Sequence, residues 1–593
     1  MSAPTTKPQL EDINVIVAGQ GGDGSLTVIT LLAGLLRQCG LNVYTERDVH
    51  SRIKGGHAAA TMRAFTGERY NIGSHIHLLV AFDEEAVVKK ARQLDGHSYV
   101  IFDDSGGPLP EGLLPEGVRV FAAPFSRLAM RSLRRDLFKN SIASAVVGRL
   151  LGLEDEALRQ AFQQRFKRMK GRILEYNLEA LELGLELSDE LGLRQGDGLY
   201  AVHETAHREQ LLITGNHALA FGFLVAGGRF FAGYPITPST DIMEWLQKWL
   251  HKFGGVVRQT EDELAAINTA LGAALTGTRT MVATSSPGLA LMQEGIAQLG
   301  MAEIPLVVVD CQRGGPSTGL PTKPEQSDLN LMVFGGNGEF PRIVLSPGHP
   351  EDCFYLSVAA CNLAQRYQCP VYIAMDQAIS QNLATVNPFD LDGVRLDQGP
   401  RLGEADLAEL DSYKRYAFSD DGVSAFAPPG TPGGLALITG NEHDEFGLVS
   451  TDPENRVRMM DKRFGKIESA REHLPGARRL GPPEADIGFI GVGMTFGVIV
   501  EAMERLEAQG LSTQLLQPRT LWPVLEETLA FVERCRRVYV VEHNATAQLA
   551  HLLMHQGANG DKLVNVIQYD GTPMRPGELV QRVLQTEKEK ICL

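Results

Sequence analysis

Tyr234-Pro-Ile-Thr-Pro-Ser-Thr240 and, just downstream, Gln259-Thr-Glu-Asp-Glu-Leu-Ala-Ala-Ile-Asn-Thr-Ala-Leu-Gly-Ala273 are the two stretches on which the reading of this chain turns. Pro235 and Pro238 fix φ and remove amide donors on either side of Thr237. The first stretch is therefore a rigid turn that aims a hydroxyl, at the end of the apolar run Gly228–Gly233. The second opens with Glu261, Asp262 and Glu263 and continues as a helix rich in alanine and glycine. Two of these acids are expected to be solvated first-turn carboxylates favoured by the helix dipole. The third is followed by Ala265, Ala266, Ala270 and Gly272, a face small enough to bring a carboxylate close to another backbone or a flat heterocycle.

The segment Asp310-Cys-Gln-Arg-Gly-Gly-Pro-Ser-Thr-Gly-Leu-Pro-Thr322 follows a buried strand pattern, Leu306–Val309. Loops at the C-terminal ends of strands are where open α/β sheets bind ligands. Arg313 can pair bidentately with a carboxylate. Ser317, Thr318 and Thr322 offer hydroxyls to the far end of a longer molecule. Taken alone, the loop reads equally well as an exposed Gly/Pro turn.

Near the N-terminus, a strand at Asn14–Ala18 runs into Gly19-Gln-Gly-Gly-Asp-Gly24, followed by a helical pattern over Leu26–Leu36 and a strand at Leu41–Thr45. Gly19, Gly21 and Gly24 fit G-x-G-x-x-G, and Glu46 ends the next strand, which is the context of a dinucleotide fingerprint. Backbone amides at the helix start would hold a pyrophosphate. Further strands are expected at His77–Phe82, Tyr99–Phe102 and Val118–Ala122, with helices over Ser141–Leu151, Glu154–Phe166 and Asn177–Leu191.

The spacing predicts five segments: an α/β domain over 1–191, a polar linker over 192–210, a second α/β domain over 211–384, a Pro/Gly-rich connector over 385–485 and a third α/β unit over 486–593. The second domain is expected to have strands at Thr280–Thr284, Pro305–Asp310 and Pro370–Met375. The third is expected to have strands at Ile487–Val492, Ser512–Gln517 and Arg537–Val541 and a helix at Val498–Ala508. A net charge of −16 argues against general nucleic-acid binding. The polar N-terminus carries no signal-like apolar region, and no apolar run approaches the roughly 20 residues of a membrane helix. The expectation is a cytoplasmic protein without a membrane span. The seven cysteines form no C-x-x-C pair, and no four have metal-site spacing. One or more of Cys353, Cys361 and Cys369 is expected to lie in a buried helix, as a structural thiol rather than a ligand. Any iron–sulfur centre therefore belongs to another chain.

Several of these motifs, in this order, resemble the 2-oxoacid:ferredoxin oxidoreductases. Gly19-Gln-Gly-Gly22, Ser51-Arg-Ile-Lys-Gly-Gly-His57 and Lys139-Asn140 resemble the family's γ domain. Tyr234–Thr240, the Glu263 helix, Thr284-Ser-Ser-Pro-Gly-Leu-Ala-Leu-Met292, the Arg313 loop and Gln326-Ser-Asp-Leu329 resemble its pyrimidine-binding domain for thiamine diphosphate. Ser286 stands where that family usually has glycine, a departure that bears on close backbone approach. Gly491-Val-Gly-Met-Thr495 and Glu542-His-Asn-Ala-Thr-Ala-Gln-Leu549 are similar to the family's transketolase-C-like domain, with Ala547 at a usual glycine. Gly440-Asn-Glu-His-Asp-Glu-Phe-Gly447 and Lys462-Arg463 match its connector, with no chemistry assigned to them.

The resemblance implies a multidomain α/β fold and a fused γ–α subunit, most like the 2-oxoglutarate type. The implied reaction is 2-oxoglutarate, CoA and oxidised ferredoxin giving succinyl-CoA, CO2 and reduced ferredoxin, a reversible reaction that can serve CO2 fixation in a reductive TCA cycle. Glu263 matches the glutamate that activates thiamine, with Glu261 the alternate. Tyr234, Pro235, Ile236 and Thr237 would line the thiamine pyrimidine. Thr237, Arg313, Thr318 and Thr322 would meet the 2-oxoacid. Gly19, Gln20, Gly21, Gly22 and Lys54 would meet CoA.

Gly22-Asp-Gly24 and Gly196-Asp-Gly198 look like the start of the motif that holds Mg2+ and diphosphate in thiamine enzymes, but lack its Asn pair. The diphosphate half with Mg2+, and a [4Fe-4S] cluster, are therefore expected on a β subunit, in a dimer of αβ heterodimers served by ferredoxin. Arg127–Arg135 is a further CoA-phosphate candidate, read in preference as a solvated helix face. Two other readings stand beside this one: an NAD-dependent dehydrogenase built on the glycine loop, and a non-catalytic assembly subunit.

Overall fold

Among the described residues, short runs of three to nine residues supply the strands of three sheets. The computed structural model describes residues 10–591 apart from 23, 50–55, 168, 170, 194–198 and 201–208. Lys54, Asp23, Gly196-Asp-Gly198 and Cys592 therefore lie outside the described residues. The chain divides into two units, one built on residues 1–213 with 382–388 and 575–577, the other on the remainder.

In the first unit the strand order is Arg119–Ala122, Tyr99–Phe102, Leu78–Ala81, Asp12–Gln20, His57–Phe65, Asn42–Val49, Leu383–Val386, Leu211–Thr214. Asp12–Gln20 is buried from Ile13 to Gly19, as a strand covered on both faces must be. Val15 and Val17 pack into the helices Ser25–Gln38 and Lys139–Leu150, while Ile16 and Ala18 face Leu79 and Val100 on the other side. Three features differ from expectation. His57–Phe65 is a buried strand whose Ala-rich run carries little β signal. It lies antiparallel between Asp12–Gln20 and Asn42–Val49, which parallel nucleotide-binding units keep adjacent. Leu211–Thr214, expected to open the second domain, is the last strand of this first sheet, and Leu383–Val386 joins it from far along the chain.

The second unit holds two sheets. One has the order Thr520–Trp522, Ile343–Leu345, Pro370–Asp376, Leu306–Gln312, Thr280–Thr284, Phe230–Gly233, Val256–Gln259, parallel except for the first strand. The other has the order Arg478–Leu480, Thr513–Gln517, Ile487–Gly491, Arg537–Glu542, Leu563–Ile567. Thr520–Trp522 thus leaves its own domain and completes the edge of the neighbouring sheet, with Trp522 opposite Val344.

The connector, read as aperiodic, contains an 18-residue helix, Pro453–Ala470, capped by Asp452. Its inward face includes Lys462 and Lys466, whose ammonium groups both lie 2.7 Å from the fully buried Glu303. Burial by itself would raise the Glu303 pKa, but Lys466 and Lys462 reverse that and hold it well below the usual range. Cys353 and Cys361 sit in the helix Pro350–Tyr367 with Cys369 just beyond it, all buried. Among the described residues no helix is long and apolar enough to cross a membrane.

Candidate active site

Four adjacent parallel strands of the seven-stranded sheet deliver the motif segments from their C-terminal ends. Phe230–Gly233 runs into the Tyr234 turn, Val256–Gln259 into the Glu263 helix, Thr280–Thr284 into the helix Ser286–Met301, and Leu306–Gln312 into the Arg313 loop. The turn is held through its carbonyls, as a segment stripped of amide donors by prolines has to be. Asn216 Nδ2 donates to the Pro238 carbonyl (2.8 Å), Ser239 Oγ to Ile236 (3.0 Å), and Arg313 Nη1 to Thr237 (2.7 Å). Tyr234 is exposed, while Pro235, Ile236 and Thr237 are half-buried.

The three acids separate as their surroundings dictate. Glu261 is exposed, Asp262 caps the helix by accepting from the Ala265 amide (2.7 Å), and Glu263 is buried at 6% exposure. Thr260 ties this helix start to the turn, its amide and hydroxyl both donating to the Gly233 carbonyl at 3.0 and 3.2 Å. Gly288, in the first turn of Ser286–Met301, leaves room for the carboxylate, since a Cβ there would come within 2.6 Å of Glu263 Oε1. Ala266 and Ala270 are fully buried beneath it. Gly272, counted on the same packed face from the sequence, is exposed, because it lies nine positions along and has turned away.

Arg313 is 5% exposed, and its guanidinium bridges from the loop to the Tyr234 turn. Beyond it the loop doubles back, with a bridge between Gly314 and Leu320, so that Ser317 and Thr318 sit exposed at its crown and Thr322 is half-buried. Ser286 uses its side chain: the hydroxyl donates to Asp328 Oδ2 in a short hydrogen bond. Gln326, of the Gln326–Leu329 motif, docks the third domain. Its amide donates to the His543 carbonyl (2.7 Å), and its Nε2 to Asp376 Oδ2 and the Val492 carbonyl (both 2.9 Å). Sequence reasoning did not single out Asn216, Gly288, Asp310 or Asp328. An aspartate closing a buried strand was the one available signal.

In the first unit the glycine loop meets two other motif segments. The Gly21 amide donates to the Gly56 carbonyl (2.6 Å), and a Cβ on Gly24, at φ 82°, would strike the Asn140 amide at 2.2 Å. Glu46, the acid of the dinucleotide reading, is clamped by Arg575 at 2.8 and 2.9 Å. With a strand interposed and that carboxylate taken, the NAD reading fails on geometry. Arg127, Arg131, Arg134 and Arg135 are solvent-exposed.

Three family matches follow the domain order: residues 14–187 to pyruvate ferredoxin/flavodoxin oxidoreductase, 222–462 to the thiamine diphosphate-binding domain of pyruvate flavodoxin/ferredoxin oxidoreductase, and 476–588 to the transketolase C-terminal domain. The α subunit of 2-oxoacid:ferredoxin oxidoreductase 1 from Aeropyrum pernix is 30% identical, across 98% of this chain and 99% of that protein. The chain belongs to the 2-oxoacid:ferredoxin oxidoreductase family. Members of this family depend on thiamine diphosphate, and the chain corresponds to their α subunit. The 2-oxoglutarate synthase subunit KorA of Methanothermobacter thermautotrophicus is 34% identical, across 64% of this chain and all of that one. The solved 2-oxoglutarate:ferredoxin oxidoreductase of Magnetococcus marinus, with 2-oxoglutarate, coenzyme A and succinyl-CoA bound, superposes with a TM-score of 0.89 at 34% identity. That match covers 97% of this chain and 99% of the other.

Proposed function

We propose that this oxidoreductase subunit acts on 2-oxoglutarate, with CoA and oxidised ferredoxin giving succinyl-CoA, CO2 and reduced ferredoxin, in a reversible reaction able to fix CO2. The observation that carries the thiamine site is Glu263. It is a buried carboxylate at the start of a small-residue helix, in a cradle kept open by Gly288, while its two neighbours are a solvated acid and a cap. Those surroundings fit the aminopyrimidine of thiamine diphosphate, with Tyr234, Pro235, Ile236 and Thr237 as its wall. When bound, thiamine diphosphate supplies the nucleophilic carbon that decarboxylation of a 2-oxoacid requires.

Glu263 would share a proton with the pyrimidine ring nitrogen of the bound cofactor. The Thr237 hydroxyl orients the substrate carbonyl. Arg313 neutralises the carboxylate while fixing the Thr237 backbone, and Thr318 and Thr322 receive the distal end. Gly19, Gln20, Gly21 and Gly22, with Lys54, serve CoA. A β subunit brings the diphosphate-binding half, Mg2+ and a [4Fe-4S] cluster, in a dimer of αβ heterodimers that passes electrons to ferredoxin.

The 2-oxoglutarate assignment is supported by the KorA relative and by the substrate bound in the Magnetococcus enzyme. The test is a 2-oxoacid panel on the co-expressed complex with a low-potential dye. A kcat/KM for 2-oxoglutarate at least tenfold above that for pyruvate is expected. Equal values would overturn the substrate assignment.

A further inference from the structure

Asp310 closes the buried strand Leu306–Gln312, opposite Thr284 on one side and Ala374 on the other, with no exposure to solvent. Neither of its carboxyl oxygens meets an N–H donor or a hydroxyl. The buried acid that acts on it is Asp328. Asp328 is fastened independently: its amide donates to Gln312 Oε1 (3.0 Å), and its Oδ2 accepts from Ser286 Oγ. Ionised carboxylates only accept hydrogen bonds, so two of them in contact, away from water, satisfy neither. A proton on Asp310 resolves the conflict by making it the donor to Asp328.

We propose that Asp310 and Asp328 share one proton and act as a positioning pair, holding Ser286, and through the turn that contains Gly288 the Glu263 carboxylate, in place against the Arg313 main chain. The positioning half of this inference rests on the role assigned to Glu263; the shared proton does not. Ser286 Oγ also lies 3.5 Å from both the amide and the carbonyl oxygen of Arg313, so one hydroxyl sits between the acid pair and the substrate loop.

The other titratable groups around the pair are consistent with a single extra proton. Burial, then the Asp328 charge, push the Asp310 pKa well up. Burial pushes Asp328 up too; Glu325 adds to this, while the Ser286 and Asp310 hydrogen bonds and Arg313 oppose it. Tyr372 and Cys311, which feel the Asp310 charge, are pushed up by burial and stay neutral. An acid whose folded pKa is raised gives stability that is present at low pH and lost as pH rises through that pKa. The pair therefore loosens on the alkaline side.

The experiment compares Asp310→Asn with wild type as full chains in the co-expressed complex. An asparagine N–H donates to Asp328 without needing a proton. Infrared difference spectra between the two at neutral pH are expected to show a protonated-carboxyl band present in wild type and missing in the variant. The melting temperature of the variant is expected to fall less than that of wild type as pH is raised. No carboxylic-acid band in the difference, or identical alkaline slopes, overturns the shared proton whatever Glu263 does. For positioning, Asp310→Leu should lower kcat at least tenfold with little change in KM for the 2-oxoacid, and Asp310→Asn should restore most of it. If the leucine variant does not fold, Ser286→Ala cuts the same tie from the other end. Unchanged kcat in whichever of the two folds overturns the positioning role.

Discussion

Replacing Gly288 by alanine adds one methyl group where two side chains already meet. The new Cβ would stand 2.6 Å from Glu263 Oε1, 2.7 Å from Glu263 Cγ and 2.0 Å from Thr284 Oγ1, against an ordinary contact of 3.4 Å or more. The carboxylate would have to retreat by about 0.8 Å, and the hydroxyl by more, to recover normal contact. Overpacking of this kind costs about 1–3 kcal/mol, and exchanging glycine for alanine in a helix returns about 1 kcal/mol. Stability should therefore drop by about 2 kcal/mol at most, a shift of a few degrees in melting temperature. Turnover should suffer far more, since misplacing a reacting group by about 1 Å costs on the order of 100-fold. The assay is dye-coupled 2-oxoacid oxidation by the co-expressed complex at saturating thiamine diphosphate, alongside a thermal melt. A Gly288→Ala enzyme that melts near wild type and keeps kcat within twofold would refute the placement of Glu263 at the reacting centre.

Glu263→Gln keeps the shape and removes the shareable proton, so turnover should fall by about 100-fold or more while the melt barely changes; the same change at the exposed Glu261 should leave turnover near wild type, and the reverse pattern would transfer the role. Arg313→Ala removes both a charge and the hydrogen bond to the Thr237 carbonyl. The apparent KM for the 2-oxoacid should rise at least tenfold, and an unaltered KM would rule out a carboxylate contact. Glu303→Gln strands two buried ammonium groups and should cost about 3–5 kcal/mol, read as a lowered melting temperature. Because the Glu303 pKa is held below the ordinary range, the stability it gives is present above that range and lost as pH falls through the folded value. The gap between variant and wild type should therefore be widest near neutrality and shrink in acid; a gap that grows on acidification would contradict this ion cluster.

Two of the four strands beneath the motifs, Thr280–Thr284 and Leu306–Gln312, were legible as short apolar runs, while Val256–Gln259, with two polar residues in four, was not. The helix Pro453–Ala470 was not, because its buried stripe contains Lys462, Arg463 and Lys466, whose partners Glu303 and Glu442 are distant in sequence. Its start, Asp452-Pro453-Glu454, did carry a readable cap. Of the candidate site, the isolation of one acid among three could be anticipated from the alanines after it, but which acid is buried depends on where the cap falls, and Asp262 takes that place. The pairing of Asp310 with Asp328 involves residues 18 positions apart across a folded loop, and no local pattern announces it. Ala547 explains itself only in three dimensions. It sits at φ 50°, in the left-handed region that glycine tolerates, which accounts for the glycine usual at that point.

Thr520–Trp522 caps the margin of a sheet that belongs to other residues, and this governs how the gene can be cut. A clone ending before Arg478 would strip Ile343–Leu345 of its outer neighbour and leave bare amides and carbonyls as a template for intermolecular stacking. Such a fragment should precipitate on expression. The two modules have to be inherited, swapped or engineered as one piece.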